Sequence, residues 1–264
     1  IKVRLEHPIA KCMDLQLKIK NRFGLQSCIV VPSDKNEPTS TVGLAQAGAK
    51  EIELHLKSTE PKVIAMGTGR VLRACVEELA VLNCEQHQIV ALLGNMASDG
   101  SASSYDVVMR MAEHINAKHY PMPLPVLPSS KEEKEQLHAQ PYITNNLKLA
   151  AQADVTFIGV GNLTINSPLH IDGFVTPKEL KELQTKGAVG ELISWVLDIN
   201  GNLIDCAVNQ RVASTPLKVN SDKAVYAIAA GEEKVFAILG ALRSKLINGL
   251  ITNEYTAERI LSID

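Results

Sequence analysis

The chain has 264 residues, 45% of them apolar and only 4% aromatic, so its core is built mainly from Ala, Val, Ile and Leu, a composition that suits strands covered on both faces. A net charge of −2 leaves no overall basic excess to neutralise phosphates and disfavours autonomous nucleic-acid binding. No stretch approaches the roughly 20 apolar residues of a membrane span, no signal peptide is visible at the start, and Cys12, Cys28, Cys75, Cys84 and Cys206 form no C-x-x-C pair, which reads as reduced, packed thiols of a cytoplasmic protein.

The chain opens at Ile1, without Met and inside a structured pattern, and reads as a piece of a longer protein. Apolar spacing predicts a helix over Ile9–Arg22, ended at Phe23-Gly24. Ser27–Val31 is a short strand stopped by Pro32, and Thr39–Leu56 a helix with Ser40 or Thr41 as its cap. Lys62–Met66 is a buried strand; the loop Gly67-Thr68-Gly69 follows, then a helix over Arg70–Leu82. Gln88–Leu93 is the next strand, and a Ser- and Gly-rich loop runs from Gly94 to Ser104. Tyr105–Ile115 is a helix with Met109, Ala112 and Ile115 on one face. Four prolines force Tyr120–Pro128 into extended backbone. Two helices, Lys131–Ala139 and Ile143–Ala153, precede an apolar strand over Asp154–Val160, and an irregular stretch reaches Phe174.

Thr176-Pro177-Lys178-Glu179 has the chemistry of a helix start, and that helix ends by Gly187. Ile193–Asp198 and Leu203–Ala207 flank Asn200-Gly201, a pairing expected to form an antiparallel hairpin. Lys223–Ala229 is a strand, Glu232–Ser244 a helix, Gly249–Thr252 a strand and Glu254–Ile263 a last helix. The repeated strand–turn–helix unit predicts a Rossmann-like α/β fold, mostly parallel, with helices on both faces and a small antiparallel hairpin insert.

Ligands in such sheets collect at the carboxyl ends of strands. Three of those ends carry glycine turns: Gly67-Thr68-Gly69-Arg70, Gly161-Asn162 and Gly231-Glu232-Glu233-Lys234. The first and third run into helices, whose amino ends favour anions, and Arg70 and Lys234 add cations in the first turn. The dinucleotide fingerprint fails, because its third glycine position is Leu72 and no acidic residue ends the next strand. No Gly-Lys-Ser/Thr forms a P-loop, and the scattered histidines offer no ligand spacing, so neither cofactor nor metal is expected. Carboxylates near the mouth are Asp99, Asp172, Glu191, Asp198 and Glu232; Asp99 and Glu232 read as solvated loop charges, while Glu191 either caps a turn or faces a ligand.

The order Gly187-Ala188-Val189-Gly190-Glu191, Asp198-Ile199-Asn200-Gly201, Asn209-Gln210-Arg211, Gly231-Glu232-Glu233-Lys234 and Leu250-Ile251-Thr252 resembles the sugar-binding domain of SorC-type transcriptional regulators. Arg22-Phe23-Gly24-Leu25 and Gly67-Thr68-Gly69-Arg70 fit the same pattern, which spans essentially the whole chain. The resemblance implies a fold similar to the sugar-phosphate isomerase and glucosamine-phosphate deaminase group, with residues 1–264 as one effector domain whose usual amino-terminal helix-turn-helix is absent from this chain. It further implies a bacterial, cytoplasmic homotetramer or homodimer that takes a small phosphorylated sugar, reaches DNA only through the missing domain and has no membrane partner. Its effector contacts fall on Gly67, Thr68, Gly69, Arg70, Asn95, Ser98, Glu191 and Lys234. Position 71 is Val where the family commonly has Thr, which removes one hydroxyl from the phosphate loop. A catalytic alternative on the same fold would use Glu191 or Asp172 as base and Lys234 to stabilise an enediolate. A third alternative is an assembly module that has lost its ligand.

Overall fold

In a computed structural model, which describes residues 8–33, 42–94, 96, 101 and 107–263, the chain folds around a seven-stranded, wholly parallel sheet. Its strands are β1 (Ser27–Val31), β2 (Val63–Met66), β3 (Gln88–Ala91), β4 (Lys118–Tyr120), β5 (Val155–Ile158), β9 (Ala224–Ile228) and β10 (Gly249–Asn253), in the order β1-β10-β9-β5-β2-β3-β4. A second, antiparallel sheet joins β6 (Gly161–Asn162), β7 (Ala188–Leu192) and β8 (Trp195–Asp198). The expected mostly parallel sheet with a small antiparallel insert is therefore present.

Alternation along the strands divides the interior into two apolar layers. Ile64, Met66, Phe157 and Ile251 face one layer with Leu44, Leu72 and Met111, which come from α2 (Val42–Leu56), α3 (Arg70–Glu77) and α4 (Val108–Ile115). Ala65, Ile158, Ala227 and Leu250 face the other with Ile19, Leu239 and Ile260, from α1 (Pro8–Phe23), α10 (Val235–Arg243) and α11 (Glu254–Leu261). Gln16 of α1 reaches β1, the outermost strand on that side, where its Oε1 accepts the Val30 N–H at 2.9 Å. All five cysteines are buried and unpaired, and burial pushes the Cys28 and Cys75 thiols up to about 12.

Two short helices, α5 (Lys131–His138) and α6 (Pro141–Ala151), return the chain from β4 to β5. A single turn, α7 (Pro168–Ile171), interrupts the stretch expected to be irregular. The capping box of α8 (Pro177–Thr185) forms as its sequence predicts: Thr176 Oγ1 accepts the Glu179 N–H at 3.2 Å, and Glu179 Oε2 accepts the Thr176 N–H at 2.8 Å. The short α9 (Ala207–Arg211) follows β8.

The structure corrects several expectations. The buried stripe of α4 runs through Val108, Met111, Ala112 and Ile115, the i, i+3, i+4, i+7 set, and Met109 lies off it and is exposed. The expected turn at Asn200-Gly201 is present: Gly201 (φ 86°) donates its N–H to Asp198 O at 3.1 Å, and Asp198 N–H donates to Asn202 O at 3.0 Å and Ile204 N–H to Val196 O at 3.1 Å on either side of the Leu197–Leu203 bridge. Asp198 Oδ1 also accepts the N–H groups of Asn200 (2.9 Å) and Asn202 (2.8 Å) and fixes the turn. The second arm is shorter than the expected Leu203–Ala207, because residues from Ala207 coil into α9. A further hairpin, which was not expected, joins β7 to β8 through Ile193-Ser194. The strand β4 runs into the expected extended stretch from two residues before it, and α3 stops at Glu77 rather than Leu82. The expected caps at Ser40 and Thr41, the loop residues Asn95, Ser98 and Asp99, and Tyr105 lie outside the described residues.

The small sheet docks on α10 through Gly190, where an added Cβ would fall 2.3 Å from Ala237 Cβ and 2.7 Å from Gly161 O. Gly190→Ala is expected to destabilise the fold by about 1–3 kcal/mol through overpacking, read as a lower urea midpoint at unchanged slope. An unchanged midpoint would show that the two elements can separate at no cost.

Candidate functional site

The chain leaves β2 for β3 and β4 on one side, then returns to β5 on β2's other side. A reversal of this kind is a topological switch point, and the crevice outside the carboxyl ends of the two strands beside it, here β2 and β5, is the usual ligand position in an open α/β sheet. Strand β9 borders β5 on its far side, so the glycine loops after β2 and β9 flank the end of β5.

The first loop is tied down at Gly67, whose N–H donates to Phe157 O at 2.8 Å. Gly67 is buried, and a Cβ there would lie 3.3 Å from both Ile158 Cα and Ile193 Cγ2. Gly69 has φ 127° and ψ 164°, a backbone region essentially restricted to glycine, and its missing side chain leaves open space. It is the cap residue of α3, and no side chain caps that helix start. Arg70 follows as the first helical residue and is exposed. The other loop repeats this backbone: Gly231 has φ 122° and ψ 150°, also with open space at its missing Cβ, and its N–H donates to the buried Thr256 Oγ1 at 2.9 Å. Lys234 lies in a 3-10 turn, Glu232–Lys234, that leads into α10, so it precedes the α-helix rather than occupying its first turn.

Between the two loops, the end of β5 continues through Gly159 into β6. Lys234 Nζ crosses to this segment and donates to Val160 O at 2.8 Å, while Asn162 Nδ2 donates to Glu233 Oε2 at 3.2 Å. Gly161 pairs with Glu191 across the small sheet, and a Cβ on Gly161 would fall 1.9 Å from Glu191 Oε1. The other oxygen, Oε2, accepts the Ser194 N–H at 2.5 Å. Both alternatives for Glu191 thus bear on one residue: it does cap a turn, and the turn stands beside the crevice.

That turn is strained. Ile193 and Ser194 have φ 44° and 74°, the left-handed pair of a two-residue hairpin turn, and a β-branched residue adopts this region only when its surroundings hold it there. Burial of Ile193 against Gly67 and the Glu191 bond to Ser194 supply the hold. Sequence reading missed this turn because Ile-Ser lacks the Asn, Asp or Gly that a pair of left-handed turn positions favours.

The electrostatics follow from the packing. Burial raises the Glu191 carboxyl above its ordinary range, opposed by the Ser194 N–H and by the Lys234 charge. Burial lowers the Lys234 ammonium; Glu191 opposes that shift, the positive charge of Arg70 adds to it, and Glu233 opposes it. Arg70 and Lys234 therefore feel each other across the crevice although they come from different loops. Of the remaining carboxylates, Asp198 serves its own loop, Glu232 pairs at the surface with the Tyr255 hydroxyl (2.5 Å) and Arg259 (3.1 Å), and Asp172 is exposed after α7. Among the described residues no group of three or more His, Cys, Asp or Glu side chains could hold a metal ion, and no helix is long and apolar enough to cross a membrane.

Comparison with known proteins agrees with this architecture. Residues 7–262 match the family described as "Putative sugar-binding domain". The erythritol catabolism regulatory protein EryD of Brucella abortus is 29% identical over 261 residues, covering 99% of this chain and 83% of that protein. The sorbitol operon regulator of Klebsiella pneumoniae is 27% identical over 254 residues, 94% of this chain and 79% of that one. The crystal structure of full-length SorC from Klebsiella pneumoniae superposes with a TM-score of 0.84 at 24% identity, over 99% of this chain and 84% of that one.

The raised carboxyl sets the sign of a pH effect. A carboxyl whose folded value lies above its unfolded value stabilises the fold below the ordinary value near 4.5, and this contribution is lost as pH rises through the folded value. Glu191→Gln keeps an oxygen for Ser194 and has no proton to lose. Its melting temperature in phosphate-free buffer is expected to fall less than that of the wild type between about pH 5 and pH 8. Parallel curves for the two proteins would show that Glu191 ionises without cost.

Proposed function

The chain belongs to the sugar-binding domain family of SorC-type transcriptional regulators, and from that premise we propose that it senses a small phosphorylated sugar. The observation that carries this reading is geometric: two glycine loops of matching backbone, bearing Arg70 and Lys234, flank the end of β5, and burial and the Arg70 charge both oppose the Lys234 charge there. A bound dianion relieves both costs at once. In this reading the Gly67-Thr68-Gly69-Arg70 loop and the start of α3 hold the phosphate, with Lys234 on its other side. Glu191 accepts a hydroxyl of the sugar, and Asn95 and Ser98 are further contacts in this reading. Two relatives carry erythritol and sorbitol in their names, which supports a polyhydroxylated ligand.

The role is sensing rather than turnover. Glu191, a carboxylate that acts on the Lys234 charge, has one oxygen committed to Ser194 and so serves the turn rather than standing free as a base. The domain acts in the cytoplasm as a homodimer or homotetramer and reaches DNA through a separate part of the regulator. The ligand shifts the assembly between DNA-binding states by its differential affinity for them.

Arg70→Ala and Lys234→Ala are each expected to weaken phosphosugar binding by well over about tenfold, with the fold retained. A thermal-shift panel of sugar phosphates beside the free sugars reads this directly, since a ligand at about 100 times its dissociation constant adds roughly 2.7 kcal/mol. A flat response across the panel would refute the phosphate assignment, and conversion of a sugar phosphate by the purified chain would favour an isomerase or deaminase instead.

A further inference from the structure

After α9 the chain crosses the carboxyl end of the sheet on the β3 side. Thr215 N donates to Leu92 O at 2.7 Å, and Leu92 N donates to Met66 O at 3.0 Å, so the crossing is anchored beside the last residue of β2 and next to Gly67. His138 Nε2 holds the preceding carbonyl, Ala213 O, at 2.9 Å. The chain bends at Ser214 and forms no strand there.

Ser214 is 0% exposed and Thr215 3%, and neither hydroxyl has a hydrogen-bond partner among the described residues. A buried hydroxyl without a partner is costly, and two in succession are uncommon. Holding the segment in place does not explain them, because the backbone bonds of Thr215 and Ala213 already do so. Each hydroxyl can donate once and accept twice, the complement of a sugar's own hydroxyls. By contrast, Thr252, another unpartnered buried hydroxyl, sits on β10 opposite Val30, on the far side of β9 from the crevice.

We propose that Ser214 and Thr215 form the hydroxyl-reading wall of the effector pocket and select a ligand with a polyhydroxylated carbon chain over its deoxy analogues. This rests on the reading of the crevice as a sugar-phosphate site and assigns the part of that site which recognises the sugar. A site built to pair a ligand hydroxyl rejects the analogue lacking it, because its own buried group is then left unpaired.

The test uses the 264-residue chain and its Ser214→Ala, Thr215→Val and double variants. Calorimetry is run with inorganic phosphate, with straight-chain polyol phosphates of three to six carbons and their deoxy analogues, and with the unphosphorylated polyols. The variants are expected to melt, without ligand, at or above the wild-type temperature, since each replaces an unpaired hydroxyl by an apolar group. They are expected to bind inorganic phosphate as the wild type does and to lose about tenfold or more in affinity for the best polyol phosphate. Preference over the deoxy analogue should fall with it. A clear drop in the unliganded melting temperature would mean that the hydroxyls are bonded within the protein, and the proposal fails. Unchanged discrimination between the polyol phosphate and its deoxy analogue would also overturn it. If the wild type takes no inorganic phosphate and no phosphorylated polyol, the phosphate assignment is what fails; the same variants against the free polyols then decide the hydroxyl wall by the same loss of affinity.

Discussion

The arrangement at the carboxyl end of the sheet depends on the missing side chain of Gly161. With a Cβ there, the Glu191 carboxylate could not lie against β6, because the atom would fall 1.9 Å from Glu191 Oε1. The Gly161–Glu191 pair is also the rung that starts the small sheet, and Gly190 on the next rung admits α10. Gly67 then allows the first loop to approach Ile158 and Ile193. The burial that raises Glu191 and lowers Lys234 follows from these close approaches. The charges are uncomfortable because backbone and carboxylate have been packed where side chains would otherwise keep them apart.

The same packing holds strain in place. Ile193 and Ser194 remain in left-handed backbone only because a carboxylate bonds the turn from one side and the β2 loop abuts it from the other. The turn and the crevice therefore share one carboxylate, Oε2 committed to Ser194 and Oε1 lying over Gly161. Whatever alters the state of that group acts on both.

Much of this was legible in the sequence where local chemistry and global fold agree. The strand Ser27–Val31, the capping box at Thr176 and Glu179, and the glycine turns after β2 and β9 follow from spacing and residue type alone. So did the position of Arg70 at the start of α3. Asn200-Gly201 turns the chain back as its residue types predict, though the returning arm stops short where residues from Ala207 coil into α9, and Ile193-Ser194 hid because tertiary packing, not residue preference, enforces its conformation. That Arg70 and Lys234 serve one site was expected from their glycine turns at strand ends, but the strand order β9-β5-β2, which sets their loops on either side of one strand, was not legible because the two segments are far apart in sequence. Ser214 and Thr215 carried no signal, since a Ser-Thr-Pro run in a loop looks solvated, and only burial distinguishes it.

Gln16 has a consequence for how such molecules tolerate crowding. A parallel sheet ends in a row of unsatisfied backbone groups that can template a strand from another chain. On β1 one of those donors, the Val30 N–H, is already occupied by the Gln16 amide oxygen, from a helix packed across the strand. An incoming strand would have to displace a side chain before gaining its first bond at that position. The border of the sheet is thereby made a poor seed for aggregation, by a polar residue on α1 rather than by the charges or prolines that more often guard such borders.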